Sequence, residues 1–302
     1  MWATALGLVA AVGYTAANIG LRSVSDCDPV WVSAVKAVPT LIGVIPVLWW
    51  QMRRRHPVWP SRTVLSRLIW ASLLGNFLGN VALQWSLGVI GIALAVPLVL
   101  GTIIVSGTVM GRWLLGEPVT RRTLIAVLLL TAAVCVLSLG AESAHRSVVG
   151  SASSPDAWWE TALGVAAAML AGTAYAILGV VIRYGVQRRT SVSVTLFVVS
   201  LVGFVSLGAA AVWRSGPELV VQFSRQDYTV ILLAGFFNAV AFLALTRAFQ
   251  MAHMVYINAV NGSQAAMAAV AGVLIFREAP TPALWAGLAM TILGLGLLDR
   301  RA

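Results

Sequence analysis

Lys36 is the one lysine in the chain; the other 19 of its 20 basic residues are arginines. It lies in the stretch VSAVKAVPT, inside an apolar run, whereas nearly all the arginines fall between such runs. An ammonium near the centre of a bilayer costs roughly 2.5–3.5 kcal/mol on insertion scales, so an ionisable group there is functional by default. Carboxamides form the second set. LLGNFLGNVALQW places Asn76, Asn80 and Gln84 four residues apart, one stripe of a 3.6-residue helix. YINAVNGSQAAM places Asn258, Asn261 and Gln264 three apart, Tyr14, Asn18 and Arg22 make a third stripe, and Asn238 adds a further amide. A carboxamide facing lipid leaves its donors and acceptors unsatisfied, so these groups face other helices or water. Their chemistry is hydrogen bonding, charge-assisted at Lys36. Bond-making would need a nucleophile–base pair or a metal cluster. His56, His145 and His253 are scattered without ligand spacing, and no carboxylate lies deep in an apolar run. No enzyme, metal or cofactor is implied.

Two roles are open to the amides: helix-to-helix bonds worth about 0.6 kcal/mol each, or the lining of a wet cavity that binds a polar solute. Lys36 has several. Its stem can snorkel to the interface, or its ammonium can donate to the Val35 carbonyl, which Pro39 deprives of a helical partner. It can also hold a carboxylate or phosphate, or carry a coupling proton once burial lowers its pKa. Ser33, Lys36 and Thr40 share a helical face, which favours a polar lining.

The elements that position these groups follow from composition. The chain is 60% hydrophobic and 10% charged with mean hydropathy +0.91, against about 25% charged in soluble domains. Apolar runs of about 20 residues recur along its length. Ten spans are expected, at about 2–22, 30–50, 67–87, 89–114, 121–140, 160–184, 192–213, 227–248, 252–276 and 281–298. The first lacks a basic n-region and runs past any small-residue cleavage site, so it reads as a retained helix. Tryptophans near span ends, Trp31, Trp49, Trp50 and Trp213 among them, suit an interfacial belt. Cys27 and Cys135 differ in depth, which argues against a disulfide. The net charge of +10 sits in short loops, as topology signals do, and does not point to nucleic acid. With both termini cytoplasmic, only Arg22, Arg146, Arg214, Arg225 and Arg277 fall on the outer side, which favours N-in and C-in.

Sliding the chain on itself by 161 positions superposes Tyr14 on Tyr175, Arg22 on Arg183, Gly101 on Gly262, Glu117 on Glu278 and Thr120 on Thr281. The halves are therefore 1–140 and 160–302, joined by an extracytoplasmic linker, 141–159. Five spans per half is an odd number, so the second half enters the membrane inverted, a hallmark of secondary transporters that work by alternating access. Pro39 and Pro97 interrupt helical bonding and permit gating kinks. Glu117 and Glu278 sit at span ends beside Pro118 or Pro280 and Arg121 or Arg277, the place of a cap or an interfacial ion pair.

ALAVPLVLG, then LLGEPVT leading into an apolar fifth span, with its echo FREAPTPALWAGLAMTILGLGLL, resembles the EamA type of the drug/metabolite transporter superfamily. That resemblance covers all ten spans. It implies an all-α membrane transporter with a central polar cavity lined by the first four helices of each half, the fifth helices standing at the periphery. A basic residue in the second span, the place of Lys36, also fits the resemblance. The first span offers Tyr14 and Asn18 where the small multidrug-resistance branch uses a buried glutamate, which disfavours cationic drug efflux by that chemistry.

The expected function is secondary transport, as export, of a small polar metabolite such as an amino acid or organic acid across a bacterial inner membrane. Membrane lipid and a coupling proton or ion are the other expected partners, with oligomeric state left open. Two alternatives stand: a phosphorylated-sugar or nucleotide-sugar antiporter, which calls for more cavity cations, and a non-transporting scaffold whose amides are only glue.

Overall fold

A computed structural model describes residues 2–54, 59–116, 120–139, 143, 157–188 and 190–297. Among these residues all regular structure is helical. The main helices are α1 Trp2–Ser23, α2 Pro29–Arg53, α3 Arg62–Ile90, α4 Ile92–Leu115 and α5 Arg121–Leu139 in the first half. In the second they are α6 Ala157–Gln187, α7 Val192–Ser215, α8 Arg225–Met251, α9 in two pieces (Met254–Asn261 and Gln264–Ile275) and α10 Pro282–Leu297. Among the described residues seven helices are long and apolar enough to cross a membrane; shorter apolar helices run over Leu124–Leu137, Gln264–Ile275 and Pro282–Gly294. The expected linker, apart from residues 143 and 157–159, lies outside the described residues, as does Glu117.

Loop residues set the helix starts. Asp28 accepts hydrogen bonds from the Val30 and Trp31 amides at 3.0 and 2.8 Å, with Pro29 in the first turn, where its missing N–H costs nothing. Ser61 and Ser191 cap α3 and α7, and Ser224 with Asp227 forms a reciprocal capping box on α8. Each cap satisfies amide hydrogens that hydrocarbon could not.

The helices pair across the halves. α1 lies against α8 and α3 against α6; α2 meets α7, α4 meets α9, and α5 meets α10. Advancing every helix number by five exchanges the first two pairs and returns each of the others to itself, as two related halves about a common axis require. α5 and α10 are peripheral. Leu124, Ile125 and Leu128 on one and Ile292 and Leu293 on the other are more than half exposed, while Ala126, Leu130 and Leu137 are buried. Trp49, Trp50 and Trp213 are exposed at helix ends, but Trp31, expected in the same belt, is half-buried and donates its indole N–H to Tyr228 Oη at 3.0 Å. Cys27 and Cys135 are both free. In the loop after α1, burial, with Asp227, Asp26 and Asp28 nearby, pushes the Cys27 thiol up, away from its reactive thiolate form.

Candidate functional site

α2 is not continuous. Proline at 39 has no N–H for the Val35 carbonyl, and the helix ends at Val35 and resumes at Val38. A tighter turn bridges the gap, with the Ala37 amide donating to Ala34 O at 3.1 Å. Lys36 sits at this interruption, 5% exposed. It neither snorkels nor bonds the backbone: Nζ donates to Asn80 Oδ1 at 2.7 Å.

Asn80 belongs to a second irregularity. Within α3, Gly75–Val81 is a π-helical segment containing both Asn76 and Asn80. Tyr175 Oη also donates to Asn80 Oδ1, at 2.8 Å, which fills both lone pairs of that oxygen. Asn80 Nδ2 donates to Asn76 Oδ1 at 2.9 Å, and Asn76 Nδ2 donates to Ser72 O at 2.7 Å and to Val199 O at 3.3 Å. Close approach makes this possible: a Cβ on Gly79 would lie 2.7 Å from the Tyr175 ring. Lys36 is thus held by neutral oxygen alone. Of its three N–H donors one is used among the described residues.

These groups border a cavity of about 170 Å³. Of the residues singled out in the sequence, Tyr14, Asn18, Lys36, Asn76, Asn80, Asn238, Asn258, Asn261 and Gln264 all line it. Gln84 does not. The π segment breaks the four-residue stripe, and Gln84, 1% exposed, donates to Leu21 O of α1 at 3.0 Å instead. Arg22, the third member of the α1 stripe, also leaves the cavity. Thr40 is buried but not among the lining, whereas Ser33 is.

α9 breaks as α2 does. After Asn261 the turn closes through Gly262 N to Asn258 O at 2.8 Å, and the helix restarts at Gln264. Gln264 Nε2 donates to Asn261 O at 3.1 Å. Asn258 Nδ2, Asn261 Oδ1 and Ser33 Oγ are buried with no partner among the described residues. A buried polar atom left so costs about 1–3 kcal/mol.

Two features were not visible in sequence. Much of the remaining lining is apolar, with Val96, Val99, Leu100 and Ile103 on α4, which packs beside α9, and Leu178, Ile182, Phe242 and Phe249 on α6 and α8; apolar residues are too common here for such a face to stand out. Tyr175 was noted only as the repeat partner of Tyr14, and that pairing was the available signal, since both phenols line the cavity. Pro97 lies buried within α4, which continues through it.

Glu278 stands away from the cavity. Its carboxylate, 2% exposed, accepts from the Ile92 and Ala93 amides at 2.9 and 2.7 Å and pairs with Arg22 Nε at 3.1 Å. It caps the first turn of α4, in the other half of the chain, where the helix dipole favours an anion. Of the two roles weighed from the sequence, a cap or an ion pair, the carboxylate has the contacts of each, and the cation is Arg22, not neighbouring Arg277. Gly91, at φ +75, supplies the turn; a Cβ there would lie 2.4 Å from the carboxylate.

No curated protein matches the sequence significantly. A crystal structure described only as that of a protein shares the fold, with a TM-score of 0.69 at 15% identity, over 98% of this chain and 94% of the other. The model of the EamA-like transporter family matches twice, at residues 1–139 and 162–298. The two matches begin 161 residues apart, the offset at which the sequence superposes on itself. The chain, a membrane protein built of two repeats, belongs to the EamA-like transporter family of the drug/metabolite transporter superfamily.

Proposed function

We infer that the protein is a secondary transporter that carries a small polar metabolite across a bacterial inner membrane, outward, by alternating access between two inverted five-helix repeats. Ten helices cross the membrane in this reading. Both termini face the cytoplasm, and residues 141–159 link the repeats outside. The supporting observation is the cavity between the halves, which joins a buried ammonium to residues whose amide atoms have no partner among the described residues. Helix-to-helix bonding accounts for the amides of Asn76 and Gln84, which donate to Val199 O and Leu21 O, but for neither Asn258 Nδ2 nor Asn261 Oδ1.

Lys36, Tyr14, Asn18, Asn76, Asn80, Asn238, Asn258, Asn261 and Gln264 form the binding surface in this reading. Gln84 supports it from behind. Pro39, at the α2 break, serves as a flexing point; Pro97 and Glu278 are structural. The nucleotide-sugar alternative has little support, because the cavity holds one cation and about 170 Å³, below the roughly 300–1,000 Å³ of pockets for drug-sized ligands.

Counterflow in proteoliposomes, with solutes chosen by thermal-shift screening of a metabolite library, tests this reading. The Lys36→Ala variant should insert and fold but lose about tenfold or more of the exchange rate, the loss expected of a charged hydrogen bond. Full exchange in Lys36→Ala removes the ammonium from the site, and no exchange with any bound solute leaves the scaffold alternative.

A further inference from the structure

The cavity carries one charge and two unlike walls. Among its described lining residues, Lys36 is the only side chain charged at neutral pH; the other titratable groups facing it are the phenols Tyr14 and Tyr175. Its partner, Asn80 Oδ1, is neutral. An enclosed charge without a counter-charge is costly, so the favoured occupant is the one that brings the cavity to zero. A monoanion does so. A zwitterion leaves the cavity at +1 and adds an ammonium for which the described lining offers no carboxylate.

The walls then assign the rest of the solute. On α9, among the described residues, Asn258 Nδ2 lacks an acceptor and Asn261 Oδ1 lacks a donor, and both residues are at least nine-tenths buried. Both residues line the cavity, and a turn of each carboxamide would bring these enclosed atoms to its surface, where an uncharged group that both donates and accepts, such as a hydroxyl, answers the pair. On α4 the lining side chains are Val96, Val99, Leu100 and Ile103, none with a polar atom, so hydrocarbon belongs there.

Building on the transporter reading above, we propose that the cavity selects a compact organic monoanion over the amino acid of the same skeleton. Its carboxylate lies at Lys36, its hydroxyl or similar uncharged group on the α9 amides, and its aliphatic or aromatic part against α4. A 2-hydroxy acid has this pattern.

Matched pairs test the selection on the full-length protein purified in detergent. Suitable pairs are 2-hydroxy-4-methylpentanoate with leucine, and phenyllactate with phenylalanine, read by thermal shift and by calorimetric Kd. At least one hydroxy acid should bind about tenfold or more tightly than its amino acid, the scale of one unmatched polar or charged group. Lys36→Met should abolish that binding. Where this variant does not fold, the comparison within pairs on the native protein decides alone. Equal or tighter binding of the amino acids, or no binding by any acid of the panel, overturns the proposal. Counterflow with the same probes separates the two readings. Exchange of amino acids without a hydroxy-acid preference overturns the selection and leaves transport standing. A hydroxy acid that binds preferentially but is not exchanged upholds the selection and counts against transport.

Discussion

α4 and α9 meet across the molecule as corresponding helices of the two repeats, yet they bring opposite chemistry to the same cavity. The 161-residue offset pairs Pro97 with Asn258, Leu100 with Asn261, and Ile103 with Gln264. On α4 these positions are apolar and the helix is unbroken past its proline; on α9 they are amides and the helix breaks between Asn261 and Gln264. The charge is divided in the same way, since Lys36 on α2 corresponds to Phe197 on α7. A duplicated fold keeps its packing relations because backbone geometry and small residues set them. The lining is free to diverge, and divergence turns a symmetric enclosure into one with a distinct end for each part of a solute.

The largest effect is expected where the two helices are fastened rather than where they differ. Glu278→Ala leaves the Arg22 guanidinium and two α4 amide hydrogens without their acceptor. Breaking such a buried pair costs about 3–5 kcal/mol, visible as a large fall in Tm in detergent; an unchanged Tm would mean that α4 is not held there.

Exchanging the walls comes next. Asn261→Leu removes an acceptor that has no donor, so the empty protein should become more stable by about 1 kcal/mol while affinity for a hydroxy acid falls about tenfold. Leu100→Asn should lower both, with a stability loss of about 1–3 kcal/mol for burying an amide without partners. Should the two variants behave alike, the contrast between the walls has no functional content.

The smallest effect belongs to Gln84→Leu. Gln84 has one amide bond to Leu21 O and one buried oxygen without a partner, so the replacement should move stability by less than about 1 kcal/mol. Affinity should not change. A drop in affinity would put Gln84 back in the cavity.

How far these features could be read in the sequence depended on whether the backbone stayed regular. The α9 amides are three apart and came together despite the break, because the turn after Asn261 leaves Asn258 and Asn261 in one helical piece. The α3 stripe assumed 3.6 residues per turn throughout; the π segment over Gly75–Val81 kept Asn76 with Asn80 and turned Gln84 toward α1. Pro39 announced the α2 break, but nothing local announced that Lys36 would find Asn80, 44 residues away, instead of the freed carbonyl. Long-range partners of this kind, such as Arg22 for Glu278, are set by how helices assemble, and a hydropathy pattern carries little of that. The apolar wall was least visible, since in a chain that is 60% hydrophobic a cavity-facing leucine looks like any other.

Glu278 also bears on how such a chain is made. The carboxylate comes from the second repeat, while both amides and the guanidinium it serves come from the first. The first repeat synthesised alone would therefore bring α4 into the bilayer with its leading N–H groups uncapped and Arg22 without its anion. As the chain emerges during translation, the earlier half must wait for the later one before its polar ends are settled. The family pattern is complete in each half, whereas this cap is complete only in the pair.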